Sequence, residues 1–220
     1  MKIITEGLYT GRNELEYNAT YGNISETNLE SNKPSVLLHS CCGPCSTAVI
    51  EKLAPLYNIT VFFYNPNIMD PEEYYRRRDS QLKFIEEFNI EYRKEYFIDY
   101  IEGEYNPECF INLTSDLKNE PEGGFRCNIC FRLRLERTAE VAKALEKDTF
   151  ATTLTISPHK NYEAISSIGN NLSESLNIPY LDENFKKKGG FQRSIELSKK
   201  YNLYRQDYCG CDYSKRNKNI

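Results

Sequence analysis

Short hydrophobic runs and longer amphipathic stretches alternate along the chain. Val36-Leu37-Leu38 lacks the polar alternation of a strand facing water, so it predicts a strand over 35–40 that is buried on both faces. A helical spacing follows, with Ala48-Val49-Ile50, Leu53 and Leu56 on one side. Residues 59–64, Ile-Thr-Val-Phe-Phe-Tyr, predict a second strand closed by Asn65-Pro66-Asn67, and a helix is expected over 71–88 with Pro71 in its first turn. Residues 91–97 have the aromatic content of a third strand, whereas 98–126, with Gly103, Pro107, Pro121 and Gly123-Gly124, read as loop. Ile129, Leu133, Ala139, Ala142 and Leu145 give an apolar side to a helix over 127–147, whose surface Arg132, Arg134 and Arg137 break with charge. A strand over 150–155, a helix reaching 176, a short strand at 178–180, a Lys-rich loop and a helix over 191–201 complete the pattern.

Strands and helices alternating at this spacing imply βαβ crossovers, hence an α/β fold with a parallel sheet flanked by helices. Ligands in such sheets bind beyond the carboxyl ends of the strands. The turn over 41–45, after the first strand, lies at that edge. Residues 1–34 are polar and Asn-rich without a sustained period, so they read as an N-terminal extension to a single domain over 35–220.

Composition narrows the class. With 220 residues, 40% of them hydrophobic, the chain can bury the core of an ordinary globular domain. Its first residues lack the apolar segment of a secretory signal, and no stretch approaches the ~18 apolar residues of a membrane span, so no membrane partner is expected and the protein is expected to be cytoplasmic. The net charge of −4 conceals an asymmetry: residues 184–220 hold ten Lys or Arg against three acids. That basic end is compatible with docking a phosphate backbone, although charge alone favours a solvated Lys-rich surface.

Eight cysteines in a cytosolic chain point to ligands or catalysts, because cytosolic thiols are kept reduced. Seven fall in three tight groups: Cys41-Cys42-x-x-Cys45, Cys127-x-x-Cys130 and Cys209-Gly210-Cys211. Adjacent cysteines rarely bridge, since a trans dipeptide sets their Cα atoms ~3.8 Å apart and a disulfide wants ~5.5 Å. The C-x-x-C that opens a helix puts both thiols on one face, where the macrodipole favours thiolate. Gly210 frees the backbone to aim two sulfurs at one centre. Together the groups can supply four thiolates to an iron–sulfur cluster and two or three to a second metal. Cys109 has no nearby partner and reads as an ordinary thiol.

The order of several motifs carries a resemblance. It runs through His39-Ser40-Cys41-Cys42-Gly43-Pro44-Cys45, Tyr64-Asn65-Pro66-Asn67-Ile68 and Arg126-Cys127-Asn128-Ile129-Cys130, then Thr152 to Asn161, Phe185 to Gly190 and Tyr204-Arg205-Gln206-Asp207-Tyr208-Cys209-Gly210-Cys211. In these the chain resembles the QueH-type epoxyqueuosine reductases over about 35–211. The resemblance implies reduction of epoxyqueuosine to queuosine at the wobble position of tRNA, the last step of queuosine synthesis, without cobalamin. It also implies a [4Fe-4S] cluster beside a second metal ion, Fe or Zn, and an adenine nucleotide α-hydrolase-like (HUP, PP-loop-related) fold. Cysteines replace the S-G-G-x-D-S phosphate loop of the PP-loop relatives, so ATP pyrophosphatase chemistry is not expected.

Cluster ligands are therefore expected among Cys41, Cys42, Cys127, Cys130, Cys209 and Cys211, with Cys45 added to the wider metal-ligating set. His159 is expected to deliver a proton, or to touch RNA as a loop residue. Lys160, Lys186, Lys187, Lys188, Arg193 and Arg205 would hold tRNA phosphates, with Phe185 or Tyr208 stacking on a base. Arg132 and Arg134 also admit a reading as structural ion pairs. A ferredoxin- or flavodoxin-like electron donor is expected as a partner. The alternatives are a structural-zinc RNA-binding module, a CCG-type iron–sulfur redox subunit, and a thiol–disulfide oxidoreductase using Cys42 and Cys45.

Overall fold

The computed structural model describes residues 32–215, so the reading of an N-terminal extension falls, for residues 1–31, outside the described residues. Four strands form one parallel sheet: β1 (Ser35–Ser40), β2 (Asn58–Phe63), β3 (Asp99–Glu102) and β4 (Thr149–Thr152), in the order β3-β2-β1-β4. The helices are α1 (Gly43–Leu53), α2 (Pro71–Glu91), α3 (Pro107–Thr114), α4 (Phe125–Ala144), α5 (Tyr162–Leu176) and α6 (Gly190–Lys200).

Strand β1 is central, and its run is buried on both faces as its sequence predicts. Val36 and Leu38 face a core built with Val49 and Ile50 of α1, Phe84 and Phe88 of α2, and Leu197 of α6. Leu37 faces the opposite core, with Leu135 and Ala139 of α4 and Ile165 and Leu172 of α5. Adjacent residues thus feed separate cores, because side chains alternate across a strand.

The strand expected over 91–97 is not there. Helix α2 runs on to Glu91, residues 92–95 form turns, and the third strand is β3, where Tyr100 pairs in register with Val61. Aromatic content misled because Tyr92 serves the helix, its ring 4.5 Å from that of Phe88 one turn back. The stretch read as loop over 98–126 holds β3, α3 and a 3-10 turn (Ser115–Leu117). The strand over 150–155 ends at Thr152, beyond which Thr153–Ile156 winds into a 3-10 turn because Thr152 accepts from the Leu154 N–H. At 178–180 only an isolated bridge between Phe150 and Tyr180 forms.

From β1 the chain moves outward through β2 to β3, then returns to the other side of β1 for β4. The β1–β4 boundary is therefore the topological switch point, where loops leaving neighbouring strands diverge and open a crevice.

Candidate metal centre

The turn after β1 delivers three sulfurs to that crevice. Cys42 is the N-cap of α1 in extended conformation, Pro44 sits in the first turn, and Cys45 follows one residue later. Gly43 lets α1 approach α2, since a Cβ there would stand 2.5 Å from the Ser80 carbonyl oxygen. The Sγ atoms of Cys41, Cys42 and Cys45 all lie within 4.8 Å of one another. Gln206 donates from Nε2 to Cys42 Sγ at 2.9 Å, while its Oε1 is buried without a hydrogen-bond partner.

Cys127 and Cys130 project from the first turns of α4, and the Gly123 N–H donates to Cys127 Sγ at 3.2 Å. Cys209 and Cys211 flank Gly210, and their sulfurs are 3.7 Å apart. Gly210 has φ +109°, and a Cβ there would meet Ile68 at 2.8 Å, so only glycine fits this close turn. These four cysteines line a cavity of about 30 Å³. A larger cavity of about 290 Å³ is lined by Cys41 and Cys45, and Cys209, Arg134, His159 and Lys160 line both.

The loop carrying Cys209 is held from β2's side of the sheet. Asn67 Nδ2 and Arg77 Nη1 each donate to the Cys209 carbonyl at 3.2 Å, and Arg77 Nη2 donates to the Tyr208 carbonyl at 3.1 Å. Arg77 is itself fixed by Glu73 at 2.6 Å, with both side chains buried.

Hydrogen bonding biases one sulfur in each of two groups towards the thiolate. Hydrogen bonds from the Cys42 and Cys45 thiols hold Cys41 well below the usual thiol range despite its burial. The contact with the Cys211 sulfur does the same for Cys209. Burial raises Cys42, and burial pushes Cys130 up to about 11 against the opposing charge of Arg134. Burial lowers the Lys160 ammonium, but the neighbouring Cys41, Cys45 and Cys209 sulfurs raise it, and the net shift is upward.

Sequence reasoning passed over His39. It is fully buried, and burial, aided by the charge of Arg134, drops its pKa to about 3, so the ring is neutral. Nε2 faces the Tyr64 carbonyl at 3.1 Å, which can only accept, so Nε2 bears the proton and Nδ1 accepts from the Thr152 hydroxyl at 2.9 Å. His39 thereby ties β1 to the chain ends of β2 and β4 just below the cysteines.

The other expected residues disperse. His159 is exposed at the rim shared by the two cavities, and Lys160 faces into them. Lys186 donates to the Lys160 carbonyl at 3.3 Å, which sets the Lys-rich loop beside the rim, with Lys187 and Lys188 exposed. Arg205 lines the larger cavity and donates to Ser198 Oγ at 2.8 Å. Arg193 of α6 is bound to Glu51 of α1 and to Glu196 on its own helix. Phe185 cannot stack on a base: it is 4% exposed and packed in the core with Leu197. Tyr208 lines the larger cavity, with Arg77 5.1 Å and Lys215 5.4 Å from its ring centre. Arg132 pairs with Glu136 at 3.7 Å, whereas Arg134 makes no ion pair among the described residues and donates instead to Cys130 Sγ at 3.2 Å. Arg77, Asn67 and Gln206 belong to the site as well. Gln206 and Asn67 stand in the quoted motifs, but no periodicity or spacing marks Arg77.

Comparison with known proteins bears on what this pool of thiols serves. A family model described as "Epoxyqueuosine reductase QueH" matches residues 36–217. A protein of Streptococcus pyogenes serotype M1 named epoxyqueuosine reductase QueH is 42% identical over 191 residues, covering 87% of this chain and 74% of the relative. Its namesake in Staphylococcus epidermidis is 42% identical over 87% of this chain and 80% of its own length. That of Thermotoga maritima is 36% identical over 82% of this chain and 90% of the relative.

Proposed function

The chain belongs to the QueH family of epoxyqueuosine reductases, and from that premise we propose that it reduces epoxyqueuosine in the anticodon of tRNA to queuosine. It is an oxidoreductase, and its substrate is tRNA. The net change adds two electrons and two protons, converts the epoxide to an alkene, and releases water. Membership in the family leaves the zinc-module and CCG-subunit alternatives without support. No helix among the described residues is long and apolar enough to cross a membrane.

The observation that carries the reading is the convergence of cysteines from three distant segments at the switch point: six line adjoining cavities, and the seventh, Cys42, lies buried with its sulfur within 4.8 Å of those of Cys41 and Cys45. Such a donor set is soft and anionic, and it suits iron or zinc rather than magnesium or calcium. Cys41, Cys42 and Cys45 are compact enough for one ion and leave a fourth position open, since sulfurs ~2.3 Å from one tetrahedral ion stand about 3.8 Å apart. Among the described residues no three of Cys127, Cys130, Cys209 and Cys211 are that close, and four spread thiolates are the complement of a [4Fe-4S] cluster. We assign the two sets accordingly. When bound, the cluster supplies electrons one at a time, and the second ion, Fe or Zn, acts as a Lewis acid towards the departing oxygen.

This chain's own residues do the rest. The larger cavity admits the modified base, with Tyr208 and Phe191 offering aromatic surface on its wall. Lys160 holds a proton beside the thiols, and His159 at the rim is placed to relay one from solvent. Gln206 fixes Cys42 through Nε2 and presents a bare carbonyl oxygen inside the site, where a substrate hydroxyl would satisfy it. Lys186, Lys187 and Lys188 flank the rim for phosphate contacts, with Arg205 on the cavity wall; Arg193 would have to exchange its carboxylate partners to join them. A ferredoxin- or flavodoxin-like protein supplies the electrons, no cobalamin is used, and the reaction takes place in the cytoplasm.

Anaerobic protein, reconstituted with iron and sulfide and reduced chemically, is incubated with epoxyqueuosine-tRNA, and the nucleosides are analysed. Queuosine is the expected product. Unchanged epoxyqueuosine with cluster-replete protein defeats the reading, and a colourless protein holding only zinc returns the site to a structural role.

A further inference from the structure

Arg134 is 3% exposed on α4, and it is a cation with no carboxylate partner among the described residues. A buried charge left unpaired is costly, so a guanidinium retained there implies an anion. Its polar contacts are both to Cys130, one turn back: Nε donates to the carbonyl at 3.1 Å, and Nη2 donates to Sγ at 3.2 Å. The first bond anchors the guanidinium against its own helix, and the second aims it at a sulfur. The Phe131 ring lies 5.9 Å below, and Arg134 forms part of the wall of both cavities. His39, the titratable ring it also faces, is neutral and offers no countercharge.

We propose that Arg134 is a positioning residue that sets the reduction potential of the iron centre, by hydrogen-bonding the Cys130 ligand sulfur and placing a fixed positive charge beside it. A donor and a cation at a ligand sulfur draw electron density from the iron and stabilise the reduced state, which raises the potential. The lysine or arginine of an ordinary surface ion pair has no such leverage, because water screens it. The inference rests on the reading of Cys130 as a cluster ligand.

The test is a redox titration, followed by EPR and visible absorption, of reconstituted parent, Arg134→Gln and Arg134→Lys proteins, with iron counted in each. In Arg134→Gln the iron is expected to stay and the ratio of reduced to oxidised cluster at a fixed applied potential to fall about tenfold, a shift of about −59 mV for a one-electron couple. Arg134→Lys, which keeps the charge but loses the planar fork, is expected to recover most of that shift. An unmoved potential in iron-replete Arg134→Gln overturns the inference. If Arg134→Gln loses its iron, the lysine variant decides: retained iron at nearly the parent potential supports the charge, and loss in both variants assigns Arg134 to packing. A parent protein that binds no cluster would instead bring down the cluster reading itself.

Discussion

Arg77 of α2 donates to the backbone carbonyl of Cys209, 132 residues further along the chain, at 3.2 Å, and its Nη2 takes the carbonyl of Tyr208 at 3.1 Å. A buried guanidinium, with Asn67 beside it, thus fixes the loop that carries Cys209 and Cys211, the two sulfurs proposed above as cluster ligands. Glu73 neutralises it from the same helix, one turn away, and accepts from the Tyr204 hydroxyl at 2.8 Å.

Replacing Arg77 by Leu leaves Glu73 charged, buried and unpaired, at a cost of about 3–5 kcal/mol. The double variant Arg77→Leu, Glu73→Leu is expected to regain much of that stability in urea denaturation. Its iron content should stay low all the same, because the Tyr208 carbonyl has still lost its donor and the Cys209 carbonyl keeps only that of Asn67. Full iron loading in the double variant would show that the loop needs no such clamp.

Gly210→Ala forces a side chain into a left-handed backbone conformation and against Ile68 and Arg77. Strain of this kind costs about 1–3 kcal/mol, and relief of it must move Cys209 or Cys211. The expected result is loss of cluster absorption with the rest of the fold intact by circular dichroism.

Cysteine replacements should divide sharply. Cys130→Ala or Cys209→Ala is expected to abolish the cluster spectrum. Cys109 donates its thiol to the Asn106 carbonyl on α3 and lines neither cavity, so Cys109→Ala is expected to keep parent iron content and activity. Iron analysis and visible spectra of the three proteins check both halves.

Removing metal with a chelator should lower Tm without unfolding the protein at room temperature. A ligand present at a thousand times its Kd contributes about 4 kcal/mol, which is lost on stripping. The two cores that flank β1, one reached by Leu37 and the other by Leu38, draw most of their side chains from outside the cysteine groups and should hold the fold. Calorimetry on holo and stripped protein measures the difference.

The start of β1 carries a pH-dependent tie: Asp148 Oδ2 accepts from both the N–H and the hydroxyl of Ser35, at 2.7 Å each. Those bonds hold the carboxyl below its usual range. A depressed folded pKa means stability that is present above the unfolded carboxylate pKa of ~3.9 and is lost as pH falls through the folded value. Asp148→Asn should therefore lower Tm at pH 7, and the gap from the parent should close in acid. A gap independent of pH would contradict the tie.

Much of this was legible in one dimension. The continuous run Val36-Leu37-Leu38 announced a doubly buried parallel strand, and the C-x-x-C at the head of α4 and the Gly between Cys209 and Cys211 announced a thiol site. What failed was local and had a local cause. Tyr92, which suggested a strand, packs against Phe88 on α2, and Phe185, assigned to a base, fills a core. A residue's type reports what it can bury or bond, and not which neighbour will receive it.

The sequence by itself determined the alternation of strand and helix, the grouping of seven thiols and the family. Periodicity and spacing are properties of a few consecutive residues, and they survive projection onto a line. The tertiary structure decided that the three thiol groups meet at the β1–β4 switch point, and that Lys160 turns inward. It also decided that Arg77 clamps Cys209 and that Arg134 directs its charge to Cys130 rather than to a carboxylate. Most of these are long-range meetings between chain segments set by strand order and crossover; for Arg134, one turn from Cys130, the fold decides by burying the guanidinium against that cysteine, with no ion pair among the described residues.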